Sequence, residues 1–233
     1  MNIKEMHYDF KQKLNKIDSQ QHRNLRVHEI DWLLNEAIEL FVKSVAFPRV
    51  KNNRIGFEFS QRTIDDIKAL VKTQCLISNN NVTILPDDYQ FFIEGSAIMR
   101  KEPCNQDKRG TLIIRKHYTD FELSPFDCTS YEWGVVNGLF EKNYIKTFAK
   151  DFNITQLCVT YVKKHPYVHN AEDSVKRSYM RLDNTLLTGT QDCILDDHTH
   201  REIVDIAVYL ASTSLENPSF QIKQQKLNLN QTI

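Results

Sequence analysis

Near its C-terminus the chain reads Gln191-Asp-Cys-Ile-Leu-Asp-Asp-His-Thr-His-Arg-Glu-Ile-Val-Asp-Ile-Ala-Val-Tyr-Leu-Ala211, a polar, histidine-bearing lead-in to a helix apolar on nearly every side. Such a helix cannot stand in water. It must be covered by other parts of the chain or by a neighbouring subunit. The pattern predicts a helix from about Thr199 to Ser214, stopped by Asn217-Pro218. Beyond it, residues 217–233 hold too few apolar side chains in any one place to build a core, so they read as an extended tail. A helix that needs cover beside an open tail points to assembly more than to catalysis.

Two amphipathic helices come first. Ile3, Met6, Phe10, Leu14 and Ile17 recur at three- and four-residue steps, one docking stripe on an otherwise polar, Lys-rich helix over 3–17. Ile30, Leu33, Leu34, Ala37, Ile38, Phe41 and Val45 repeat that period until Pro48 ends the run. A third helix is expected after Ser60 or Thr63, with Asp66 at capping-box spacing from Thr63. Ile64, Ile67, Leu70 and Val71 would be its buried stripe and Asn79-Asn80-Asn81 its stop.

From Val82 the period changes to two. Val82–Leu85 reads as a short strand, Tyr89–Met99 as a longer one interrupted by Gly95, and Thr111–Ile114 as its hairpin partner across a polar loop over 101–109. Leu139–Phe152 and Ile154–Val162 read as two more strands. In the latter, Leu157, Val159 and Tyr161 face one way and Cys158, Thr160 and Val162 the other. One further strand is expected around Tyr179–Leu182. The order describes an α+β protein: an N-terminal helical bundle over 1–80, a central, mostly antiparallel β-sheet over 81–190, a C-terminal packing helix over 191–216 and the extended tail, in one structural domain.

Thirty basic and thirty acidic side chains cancel, so no global field draws the chain to nucleic acid or to an acidic membrane. Only six glycines occur, with no G-x-G-x-x-G and no G-x-x-x-x-G-K, which argues against phosphate-cradling loops of those two kinds. Five dispersed cysteines without a C-x-x-C pair predict buried free thiols in a reducing compartment. No apolar run approaches the roughly 20 residues of a membrane span. The chain is expected to be soluble and cytosolic at synthesis.

Three constellations carry possible chemistry. Asp196, Asp197, His198 and His200 could ligate zinc or iron in a small metal-dependent enzyme. Against this, H-x-H at a helix start turns its two rings about 200° apart, and Asp196, Asp197 or Thr199 equally suits a helix cap. Cys128 or Cys158 with His117 or His165 could form a nucleophilic pair, though nothing in the spacing selects one. Arg100-Lys101, Lys108-Arg109 and Arg115-Lys116-His117-Tyr118 could let a hairpin over 100–118 grip a phosphate backbone, or could simply be a solvated tip. In the tail, Phe220 with Ile222 and Leu227 with Leu229 alternate, as a strand laid along a neighbour's edge or groove would.

Three stretches carry a family resemblance: Met6-His-Tyr-Asp-Phe-Lys-Gln-Lys-Leu-Asn-Lys-Ile-Asp-Ser19 with Arg23-Asn-Leu-Arg-Val-His-Glu-Ile-Asp-Trp-Leu-Leu-Asn-Glu-Ala37; Ile84-Leu-Pro-Asp-Asp-Tyr89; and His200–Ala211 with Glu216-Asn-Pro-Ser-Phe220. In these the chain resembles the head–tail connector or neck-ring proteins of crAss-like tailed bacteriophages. The resemblance implies a non-enzymatic virion protein without cofactor or metal, forming a dodecamer ring between portal and tail. It would extend the DNA channel, let genomic DNA pass without sequence-specific binding, and dock adjacent neck and tail proteins without touching a membrane. Assembly would take place in the host cytoplasm. Ile3, Met6, Phe10 and Leu14 on the first helix, with Phe220, Ile222, Leu227 and Leu229 in the tail, are the expected partner-binding residues.

Overall fold

The computed structural model describes residues 1–17, 25–46, 65–102, 106–116, 128–149 and 151–214. The chain separates into two units. One joins Met1–Leu70 to His165–Ile233, and the other, Val71–Lys164, is inserted between those halves.

In the first unit, helices α1 (Ile3–Ile17), α2 (Val27–Ala46) and α3 (Asp197–Ser214) form where the apolar period places them. Helix α1 opens on a reciprocal box: Glu5 N–H donates to Asn2 Oδ1 (2.8 Å) and Asn2 N–H to Glu5 Oε2 (3.0 Å). Two donors that a helix start leaves orphaned are thereby satisfied. The nearly all-round apolar helix is α3. Its Ile203, Val204 and Ala207 are fully buried, and both α1 and α2 pack against it. Its cover comes from within the chain.

Residues between the insertion and α3 are held to α2 by polar bonds. Asn35 imitates a strand edge, its amide donating to Val168 O (2.7 Å) while its oxygen accepts from Val168 N–H (2.9 Å). Asp31, fully buried, accepts from His7 Nε2 (2.7 Å), Tyr179 Oη (2.6 Å) and the Asn170 amide (3.2 Å). A carboxylate with this many donors is tolerable without water. Burial, reinforced by the Asp31 bond, raises the Tyr179 hydroxyl above its ordinary value of 10.0. A phenol raised on folding adds stability below the unfolded value and loses it as pH climbs. We expect urea stability to decline above about pH 10, and Tyr179→Phe, titrated by the same denaturation series, to decline less steeply. An identical slope would contradict this assignment.

The inserted unit is a seven-stranded sheet: β1 (Val71–Ile77), β2 (Val82–Ile84), β3 (Tyr89–Arg100), β4 (Asp107–Arg115), β5 (Val135–Glu141), β6 (Tyr144–Phe148) and β7 (Asn153–Lys163), in the order β1-β7-β3-β4-β5-β6-β2. Only the β4/β5 pair is parallel. The two edge strands, β1 and β2, are consecutive in the chain. The Cα steps from Ile77 to Val82 reach at most about 18 Å, whereas a flat sheet of this width would hold its edges about 29 Å apart. The sheet must therefore curl until its edges approach. The linking turn is tied to strands on both sides, Ser78 N–H donating to Thr155 O (3.1 Å) and Thr147 N–H to Asn81 O (2.8 Å). Inside lie Met99, Leu112, Val136, Ile145 and one of the two expected faces of β7, Leu157, Val159 and Tyr161.

Several expectations are corrected. The third helix does not run to residue 78: residues 65–67 are helical, Lys68–Leu70 is a 3-10 turn, and Val71 begins β1. Its helical spacing was short, and pairing with β7 along the whole of β1 overrides so weak a local preference. Asn79-Asn80-Asn81 is the turn into β2, with Asn80 and Asn81 at positive φ. Ser60 and Thr63, the two expected caps, lie outside the described residues. Leu139–Phe152 is no single strand. It folds back at Lys142-Asn143 into β5 and β6, and Lys142 at φ +46° stands where a glycine or asparagine would have signalled the turn. The polar loop after β3 is shorter than expected, because Asp107–Arg109 already pair in β4. Free thiols were expected throughout, yet Cys75 and Cys158 lie opposite each other on β1 and β7 and are joined by a disulfide. Their sequence separation of 83 hides a proximity that only strand register creates.

Candidate functional site

The apolar stripe of α1 is not a surface. Ile3, Met6, Phe10 and Leu14 are all buried within the chain, on the helix face that packs against α3. Their spacing correctly marked a buried face, but periodicity cannot distinguish a partner from the chain's own next helix. Phe220, Ile222, Leu227 and Leu229 lie outside the described residues.

Most of the Asp/His cluster at the start of α3 meets partners outside the cluster, although His200 Nδ1 lies 3.5 Å from Asp197 Oδ1. His198 Nε2 donates to Asp66 (2.8 Å), and Asp196 pairs with Lys68 (2.9 Å). Asp197 meets the N-terminal ammonium, which holds its carboxyl below the ordinary range. His200, buried, donates through Nε2 to Leu195 O (2.9 Å). Thr199 turns its hydroxyl back to Asp196 O (2.8 Å). Among the described residues, no three histidine, cysteine or acidic side chains converge on a point where a cation could sit.

Of the residues considered for a cysteine–histidine pair, His117 lies outside the described residues. Cys158 is in the disulfide, and the thiol nearest His165 is that of Cys193, at 3.4 Å from Nε2. That nitrogen already accepts the Ile194 amide (3.1 Å). Burial pushes the Cys193 thiol up to about 11, so it stays protonated at neutral pH and is a poor nucleophile.

The basic hairpin is partly spent on its own architecture. Arg100 pairs with Asp107 (2.9 Å), and Arg115 donates to Asn137 Oδ1 (3.2 Å). Lys108 Nζ donates to the carbonyls of Tyr131 (2.9 Å) and Glu132 (2.7 Å). His117 and Tyr118 lie outside the described residues.

What Lys108 braces is the first exposed feature of note. Residues 131–134 form a tight loop between the bridge partners Ser130 and Val135, closed by Gly134 N–H on Tyr131 O (3.2 Å) with Gly134 at φ +66°. Trp133 stands at its tip, 85% exposed. A large aromatic held outward on a braced loop costs little entropy to bury and suits an interface anchor. No period marks it in the sequence, since residues 118–137 are rich in aromatics and turn formers without a regular repeat. The cue was the Trp-Gly pair, a bulky residue before one free to adopt positive φ.

The second feature lies in the helical unit. Strands β8 (His169–Asn170) and β11 (Thr190–Gln191) pair, and between them β9 (Ser178–Met180) and β10 (Leu186–Thr188) make a separate hairpin arm. Leu182, Asp183 and Asn184 turn it, Asn184 being at φ +64°. Tyr179 and Leu187 occupy one face, with Tyr179 bonded to Asp31. Met180 and Leu186, directly opposite each other, are exposed on the other, and Leu182 at the tip is 95% exposed. On α2, Trp32 and Leu40 are exposed two turns apart. Scattered apolar residues are ordinary on a surface, but clusters of this kind mark interaction sites.

Among the described residues, no helix is long and apolar enough to cross a membrane. A comparison with protein families finds that the family described as phage tail ring protein 3/4 matches residues 1–222. Comparison with curated proteins found no match.

Proposed function

The chain belongs to the phage tail ring protein 3/4 family, a structural component of crAss-like phage virions, and from that premise we propose that it forms a head–tail connector ring between portal and tail. In this reading identical copies close a dodecamer whose lumen continues the DNA channel, and the protein performs no catalysis. The observation that carries it is Trp133: a braced loop holds an unburied tryptophan outward, a geometry suited to docking another virion component. Balanced charge supports a conduit role, since a strongly basic lumen would hold DNA by counterion release instead of letting it slide. The alternating apolar residues of the tail, Phe220, Ile222, Leu227 and Leu229, suit a tether onto the portal or an adjacent subunit.

The test is native mass measurement of the full chain alone, with portal, and with adjacent tail components. A multi-copy ring that joins the portal supports the reading, and a chain that remains monomeric in every mixture overturns it. Trp133→Ala should weaken docking of one neighbouring component by roughly 30-fold or more, the scale of an interface hot spot. Removing residues 217–233 should leave the fold intact and weaken assembly; unchanged assembly would remove the tether from the account.

A further inference from the structure

We infer that the β9–β10 arm of one copy docks on the outer face of α2 in the next copy, and that this contact propagates the ring. The inference rests on the ring reading above and names the surfaces that reading leaves open.

The arm shows apolar side chains on both faces. Its inner face is satisfied, because Tyr179 reaches Asp31 and rings of Tyr179 and His28 lie 5.9 Å apart. Its outer face, Met180 and Leu186 with Leu182 beyond them, meets solvent. An isolated two-stranded hairpin is marginal in water, and exposing its best packing residues makes it more so. The arm is nevertheless well built. Arg181 N–H donates to Thr185 O (3.0 Å), Thr185 N–H to Asp183 Oδ1 (3.0 Å), and the Arg181 guanidinium stacks on Tyr167 at 4.2 Å. It is a preformed insert.

The receiving surface is α2. Trp32, Glu36 and Leu40 fall at i, i+4 and i+8, one line along the helix. Glu29 and Glu39 flank that line, Glu39 tied to Lys43. The face is therefore apolar with an acidic centre. The arm carries the opposite sign: with Arg181 held by Asp183 (3.3 Å) and Glu172 held by Lys4 (2.8 Å), the exposed Lys176 and Arg177 outweigh Asp173 and leave its base positive. Apolar matches apolar and basic matches acidic. Both surfaces are open on the same molecule at once, so one copy does not satisfy itself. Two unlike patches make a head-to-tail contact, which builds a ring when its rotation closes. A second copy is the occupant this complementarity selects.

Three full-length proteins test it by mass measurement in solution: the natural chain, an arm variant (Met180→Asp with Leu182→Asp) and a face variant (Trp32→Asp with Glu36→Lys). All substituted side chains are exposed or half-exposed, and circular dichroism checks that each variant folds. The natural chain should form multi-copy species, and each variant alone should stay monomeric. An equimolar mixture of the two variants retains one intact arm and one intact face, so it should stop at heterodimers. Assembly by the arm variant equal to the natural chain overturns the inference, as does a mixture that yields no heterodimer. A natural chain that is monomeric at every concentration, alone and in mixtures with portal and tail components, overturns the ring reading itself and this inference with it; one that assembles only in those mixtures overturns this inference alone.

Discussion

Asp31→Ala should cost the helical unit about 3–5 kcal/mol, the scale of breaking a buried charged network. The carboxylate is fully buried and accepts hydrogen bonds from His7, Tyr179 and the Asn170 amide, drawn from α1, the arm and the strand β8. Alanine would strand all of these donors, each at about 1–3 kcal/mol if left without a partner. Against a typical total of about 5–15 kcal/mol, that is a large share. Asp31→Asn keeps the shape but turns an acceptor into a donor facing donors, so it should recover only part of the loss. Urea denaturation followed by far-ultraviolet circular dichroism checks both. A loss below about 1 kcal/mol would mean that water replaces the carboxylate without difficulty, and that Asp31 does not hold the arm.

Gly110→Ala should destabilise the inserted sheet by about 1–3 kcal/mol, as overpacking does, and should also displace Trp133. A methyl at residue 110 would lie 2.6 Å from Met99 Cε and 2.8 Å from Gly134 O. The methionine can move. The carbonyl cannot, because it accepts the Thr111 amide at 2.7 Å and belongs to the turn that carries Trp133. Either β4 or the loop must give way. Trp133 fluorescence and docking should therefore change together with the melting temperature, whereas Trp133→Ala should impair docking with stability nearly unaltered. A Gly110→Ala protein of natural stability and natural Trp133 emission would refute this coupling.

Trp133 illustrates why exposed features were less legible than elements. Burial leaves a period in sequence, since a helix or strand must turn the same face inward repeatedly. Exposure leaves none. Trp32 and Leu40 sit in the same helix as Ile30, Leu34 and Ile38, and composition alone does not tell outward from inward members. Met180 and Leu182 fell where a strand was expected around 179–182, but their exposure depends on Tyr179 being drawn inward by Asp31, a residue 148 positions away. Among the described residues, the partners that draw the Asp/His cluster apart leave no trace in sequence either. Asp66 and Lys68, which take His198 and Asp196, are as remote in sequence as they are near in space.

Local periodicity by itself determined the first two helices, the last helix, the alternating faces of β7 and the α+β class, because each of these needs only neighbours within a few residues. Tertiary structure alone decided that β1 is a strand, that β5 and β6 are two strands and not one, that Cys75 meets Cys158, and that the stripe of α1 belongs to the chain's own core. Each of those outcomes is a choice among partners. A pattern of apolar residues records that a partner exists, and only packing in three dimensions records which one it is.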